Sequence, residues 1–189
     1  MKKFLLIVSV ATLAIMGFVG CNRQSKWSRE ERQAMRDLLH DYRQMVYLND
    51  LSDAEYMLFT DNVASAVESD YPVYTTFVEM PGMNDTVQMY IVTTIVEELN
   101  TDARNMRHIF PYPYLVESNV LPSGLSRAQQ NAFYNCLSQK VNNTYPDVTD
   151  FVNAVIASDT LANSQISQMQ SACANDLFGW TVEVVEVTD

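Results

Sequence analysis

The sequence predicts an all-α protein: a helical bundle made of a leading helix, two copies of a three-helix unit and a short extended C-terminal tail. Three observations carry this expectation. First, residues 51–78 and 125–152 align at a shift of 74 without a gap and share ten of 28 positions, where chance gives about two. The matches are Leu51/Leu125, Ser52/Ser126, Ala54/Ala128, Phe59/Phe133, Val67/Val141, Tyr71/Tyr145, Pro72/Pro146, Thr75/Thr149, Phe77/Phe151 and Val78/Val152. Second, both stretches open on a serine followed three residues later by Glu55 or Gln129. That is a capping box, in which the serine accepts the third backbone N–H and the third side chain reaches back. Third, Phe59, Val63, Val67 and Phe133, Leu137, Val141 fall at four-residue steps along one helical face.

In chain order, Ser28 to Glu31 is another capping box, and Met35, Leu38, Leu39, Tyr42 and Val46 continue at helical spacing. They predict a leading helix over about 28–47. The first repeat helix follows from Ser52 and the equivalent one from Ser126, each ending at Tyr-Pro because proline drives the preceding residue out of the helical region. Pro72 and Pro146 can each start a further short helix. Residues 73–96 are rich in β-branched side chains around Pro81-Gly82 and on propensity alone resemble a hairpin. The repeat argues for helix instead. At the same shift, Val92, Ile95, Leu99 and Ala103 fall on Ile166, Met169, Cys173 and Leu177, in a segment poor in strand formers. The expected helices are therefore 85–107 and 161–178, giving repeat units of about 51–107 and 125–178. Residues 108–124, with three prolines and no periodicity, read as an ordered linker, and Trp180 to Val187 alternates weakly like an edge strand.

The N-terminus carries an address. Lys2 and Lys3 precede an apolar run from Phe4 to Met16 and the small-residue site Val19-Gly20-Cys21. The run is too short to span a bilayer and has the layout of a cleaved signal. The Val-Gly-Cys ending resembles the lipobox of bacterial lipoproteins, and the whole resembles small cell-envelope lipoproteins of Bacteroidota. That resemblance implies removal of residues 1–20 and acylation of Cys21 (a palmitate-type anchor); the polar residues that follow read as a tether over 21–27, and the remaining length suits a single domain over 28–189. Asn22, in place of an aspartate, implies the outer membrane under the enterobacterial sorting rule. The lack of acidic residues just after Cys21 leans toward the periplasmic face. Cleavage removes two lysines and no acid, taking the net charge from −11 to −13. So acidic a chain lacks the footprint of a nucleic-acid binder and is repelled by anionic headgroups, which leaves the lipid as its only bilayer contact.

Chemistry-bearing motifs are sparse. Cys136 and Cys173 can pair in an oxidising compartment or stay as two small buried thiols. No metal, cofactor or catalytic signature is present: the sequence lacks HExxH, GxSxG, a phosphate-binding glycine loop and a calcium loop. Glu30/Glu31 and Glu97/Glu98 are helical neighbours that face different ways, and His40 reads as a surface histidine. The best candidate contact surface is the linker, with His108, Phe110, Tyr112 and Tyr114, whose rings suit a glycan or protein partner but equally suit packing between the copies. Asp85-Thr86-Val87 and Asp159-Thr160-Leu161 resemble the O-glycosylation sequon of Bacteroidota, which implies Thr86 and Thr160 as acceptors. The same residues also fit as helix N-caps. The expected function is a non-catalytic binding or interaction module displayed on the envelope. The alternatives are a hydrolase with its site at the seam between the repeats and a structural component of the envelope.

Overall fold

The structure, a computed structural model, describes residues 26–181. The expected signal segment 1–20, Cys21, most of the tether and the tail from Val182 lie outside the described residues. Within them the chain forms eight α-helices and no strand: α1 Arg29–His40, α2 Asp53–Asp70, α3 Tyr74–Val78, α4 Met83–Thr101, α5 Tyr112–Glu117, α6 Arg127–Thr144, α7 Val148–Ile156 and α8 Thr160–Phe178. Two 3-10 segments, Leu48–Asp50 and Ala103–His108, join them.

Local chemistry sets most boundaries. Ser28, Ser52 and Ser126 each accept the third backbone N–H of their helix, and Glu31, Glu55 and Gln129 each reach back to the capping residue. Helices α2 and α6 stop at Tyr71 and Tyr145, the residues before Pro72 and Pro146. α8 closes on Gly179, whose φ of 62° is left-handed, with Trp180 N–H returning to the Ala174 carbonyl.

Helix α4 is the segment that propensity alone reads as strand, and it is helical for two reasons. Val87, Ile91 and Ile95 are fully buried, because α4 packs against α2 on one side and α7 on the other. In addition, the hydroxyls of Thr86, Thr93, Thr94 and Thr101 each donate to the carbonyl four residues back, at 2.8–3.2 Å. The threonines are thereby satisfied inside the helix. The core is continuous from Met35 and Leu39 of α1 through Phe59, Val63 and Val67 of α2 to Phe133, Leu137 and Val141 of α6.

Four expectations need correction. The leading helix ends at His40, not near 47. Tyr47 is 1% exposed and sits at φ 80°, ψ −56°, the values of a strained γ-turn. Burying Tyr47 and Leu48 bends the chain out of the helix, and the Arg43 guanidinium holds the bend by donating to the Leu51 carbonyl at 2.7 Å. The helix expected over 85–107 ends at Thr101, where Asp102 starts a tighter 3-10 run. The linker contains the short helix α5. Finally, the shift of 74 fails in the third helices. The buried residues Val87, Ile91, Thr94, Ile95 and Leu99 fall on the buried Ala162, Ile166, Met169, Gln170 and Ala174 at a shift of 75. At 74, Val87 would fall on Leu161, which is 78% exposed.

Candidate functional site

The Ala103–His108 segment builds the site. Asp102 caps it by accepting the Arg104 backbone N–H at 2.9 Å, and its carboxylate also takes the Arg104 guanidinium, with Nη2 at 2.5 Å. These bonds, the side-chain one foremost, hold the Asp102 carboxyl below its ordinary range. A 3-10 helix has three residues per turn, so Arg104 and Arg107 project from the same face. The segment packs against α6 and against the Leu48–Asp50 turn, which carries the arginines to the seam between the first half of the fold and the second.

Arg107 Nη2 donates to Glu55 Oε1 at 3.1 Å. Glu55 is also the third residue of α2 and accepts from the Ser52 hydroxyl at 2.6 Å and the Ser52 backbone N–H at 2.9 Å. Those two bonds, with smaller help from His108 and Arg107, hold its carboxyl down at about 2. His108 is buried beneath this pair, with Nδ1 2.8 Å from Asp50 Oδ2 and Nε2 3.8 Å from Glu55 Oε1. The Tyr47 ring meets the imidazole edge-on at 5.3 Å, and the Tyr47 hydroxyl donates to Glu98. Burial, and then the Glu98 carboxylate, push the Tyr47 hydroxyl up, so it stays a neutral donor.

The Glu55–Arg107 bridge is a wall shared by two clefts. One, about 410 Å³, is acidic: Glu97 and Glu98 of α4 face Leu58 and Asn62 of α2. The other, about 420 Å³, lies at the seam, where Arg104, Arg107 and Arg127 converge above Tyr112, Gln130 and Asn131, with Asp50 also in its lining.

The sequence-derived candidates separate accordingly. His108 is buried. Phe110 is half-buried, 6.4 Å from the Phe151 ring. Tyr112 accepts the Leu125 N–H at 3.0 Å and donates to the Pro122 carbonyl at 2.9 Å, pinning the linker ends together while one side of it lines the seam cleft. Only Tyr114, 59% exposed, is open to solvent. The linker aromatics therefore mainly pack the fold, and the expected contact surface of His108, Phe110, Tyr112 and Tyr114 is reduced to Tyr112 and Tyr114. Cys136 and Cys173 form a disulfide between α6 and α8. Thr160 is exposed as the first residue of α8, capped by Asp159 at 2.8 Å to the Leu161 N–H. Thr86 is half-buried and lies inside α4, with its hydroxyl given to the Gly82 carbonyl. His40 is exposed.

What the sequence reading missed is the arginine group and its partners. The signal was there in Arg104 and Arg107, three apart after a helix-ending Asp102, but Arg107 meets Glu55 across 52 positions and the neighbouring His108 meets Asp50 across 58. Chemically, the pair is a buried imidazole oriented by a partly exposed carboxylate. Among the described residues no hydroxyl or thiol hydrogen-bonds to it, and no group of His, Cys, Asp or Glu could hold a metal ion. No described helix is long and apolar enough to cross a membrane. Compared with known proteins, the chain matches no family model, no curated protein and no solved structure.

Proposed function

We propose that this chain is a lipid-anchored protein of the bacterial envelope, acylated at Cys21 after loss of residues 1–20, whose helical domain is a non-catalytic binding module. In this reading the outer membrane holds the anchor, with the domain on the periplasmic side, and the acyl chains are the only bilayer contact. The observation that carries the binding role is the seam cleft. In a chain of net charge −11, three arginines converge on one cavity of about 420 Å³, a volume in the range of small-ligand sites. Two of them are paired within the fold, Arg104 with Asp102 and Arg107 with Glu55, and the third, Arg127, brings a charge that the fold does not pair among the described residues.

The architecture behind the cleft is proposed as a tandem duplication of a three-helix unit. Support comes from the identical offset of α2 and α6, their matching capping boxes and the alignment of buried faces once the third helix slips by one residue. Thr160 is the accessible acceptor for O-glycosylation in this account, and Thr86 the less accessible one.

Two experiments test the function. Cells fed an alkyne-bearing fatty acid label the wild-type chain, and Cys21→Ser abolishes the label; persistent labelling would refute the anchor. Purified full-length protein in detergent is then screened by thermal shift against envelope saccharides and peptides, and any ligand found is followed for turnover by NMR. Stabilisation without turnover is expected. Turnover would favour the second reading, a hydrolase, for which the specific observation is the Asp50–His108 pair beside the acidic cleft. His108→Gln would then stop turnover and leave binding.

A further inference from the structure

We propose that the seam cleft takes a saccharide bearing one anionic group, carboxylate or phosphate, with Arg127 as the residue that grips the charge. This rests on the binding-module reading and gives its site a ligand class.

The charges in the lining are almost all spent. Arg104 is closed onto Asp102, Arg107 onto Glu55, and Asp50 onto His108. Arg127, exposed at the first turn of α6, is different. Among the described residues it has no carboxylate partner and no side-chain hydrogen bond. The cleft thus holds one uncompensated guanidinium, a planar fork whose geometry matches carboxylate and phosphate oxygens. Arg107, on the shared wall, adds a second positive group whose own neutralising partner faces it from α2.

The rest of the lining selects the body of the ligand. The Tyr112 hydroxyl is used up on the Leu125 N–H and the Pro122 carbonyl, so what it offers a ligand is ring surface, suited to the C–H face of a sugar. Gln130 gives its amide N–H to the Leu125 carbonyl at 2.9 Å, which leaves its carbonyl oxygen to accept from a hydroxyl. Asn131 adds a complete amide, both donor and acceptor. One charge, an apolar face and bidirectional amides describe an acidic sugar better than a free anion or an apolar molecule.

The test is isothermal titration of full-length protein in detergent with galacturonate, galactose 6-phosphate and galactose, and with acetate and inorganic phosphate as bare anions. At least one acidic sugar is expected to bind with a Kd of roughly 1 mM or tighter, and galactose far more weakly. Arg127→Gln should weaken that binding about tenfold or more with its unfolding temperature unchanged. Lys140→Gln, a cation outside the cleft, should leave it intact. Comparing the two acidic sugars tells which anion the fork prefers. Equal binding of galactose, equal binding of acetate or phosphate alone, or full affinity in Arg127→Gln would each overturn the proposal. So would a lack of binding by all three sugars, in which case the thermal-shift screen decides the module reading separately. A neutral ligand found there would sink the anionic assignment and leave the module standing.

Discussion

The two halves of the fold each run through a long, a short and a long helix and are tied by different chemistry. In the second half, Cys136 of α6 and Cys173 of α8 are joined covalently. The positions that correspond in the first half are Asn62, at the shift of 74, and Glu98, at the shift of 75 that holds for the third helices. Both line the acidic cleft. Each half keeps a cleft of about 410 Å³ between its long helices, but where the second half is tied by the disulfide, the ties in the first are polar: Tyr47 to Glu98, Arg107 to Glu55 and His108 to Asp50. The difference is one of tie chemistry: a covalent staple in the second half, and a network of titratable and charged groups in the first half and the linker. A disulfide spanning a helix pair needs no side chains of special charge, and the polar side chains that α6 does bring to the seam, Arg127, Gln130 and Asn131, lie apart from it.

The largest effect should fall on both halves alike. Phe59 and Phe133, each at 0–1% exposure, sit at equivalent places, and Phe→Ala at either should cost about 3–5 kcal/mol in urea unfolding. A cost at one site less than half that at the other would count against the proposed duplication. Next, removing the staple should separate the halves. Cys136→Ser with Cys173→Ser opens a loop of 37 residues and should lower stability by about 3–4 kcal/mol on the loop-entropy account; a reductant should bring wild type to the same midpoint.

A smaller and more discriminating effect lies in the caps. Ser52→Ala and Ser126→Ala should each cost about 1 kcal/mol near neutral pH. Their pH dependence should differ. Glu55 is held at about 2 against its usual 4.5. A depressed carboxyl lends stability that is complete above about pH 4.5 and drains away as the pH falls toward 2. Gln129 does not titrate. The Ser52→Ala penalty should therefore shrink between pH 5 and pH 2.5, while the Ser126→Ala penalty holds steady against acid. Parallel loss of both would remove the distinction. Smallest of all, Arg127→Gln should shift stability by less than about 0.5 kcal/mol, since its side chain is exposed and unpaired among the described residues.

How much of this was legible depends on the range of the chemistry. The capping boxes, the Tyr-Pro stops and the length of α2 and α6 are fixed within four residues of themselves, so the sequence displays them. The end of α1 is not displayed, because no glycine or proline marks it; the burial of Tyr47 and the reach of Arg43 to Leu51 do. The one-residue slip of α8 was hidden because an amphipathic helix tolerates either register until its neighbours choose the buried face. The site was least legible. His108 stood out as one of two histidines, but Asp50 meets it only because one 3-10 turn docks on the other, and Glu55 only because α2 starts beside them. Arg127, a cap-adjacent residue in sequence, faces Arg104 and Arg107 only after α6 packs on that turn.

The claim that matters most is that the seam cleft recognises an anion through its arginines. The direct measurement is a map of arginine side-chain Nε–H resonances by NMR while galacturonate or galactose 6-phosphate is added to the full-length protein in detergent. Saturable shifts at Arg127 and Arg107, with Arg32, Arg36 and Arg43 unmoved, are predicted. Shifts absent from the cleft, or spread evenly over arginines on α1, would contradict it.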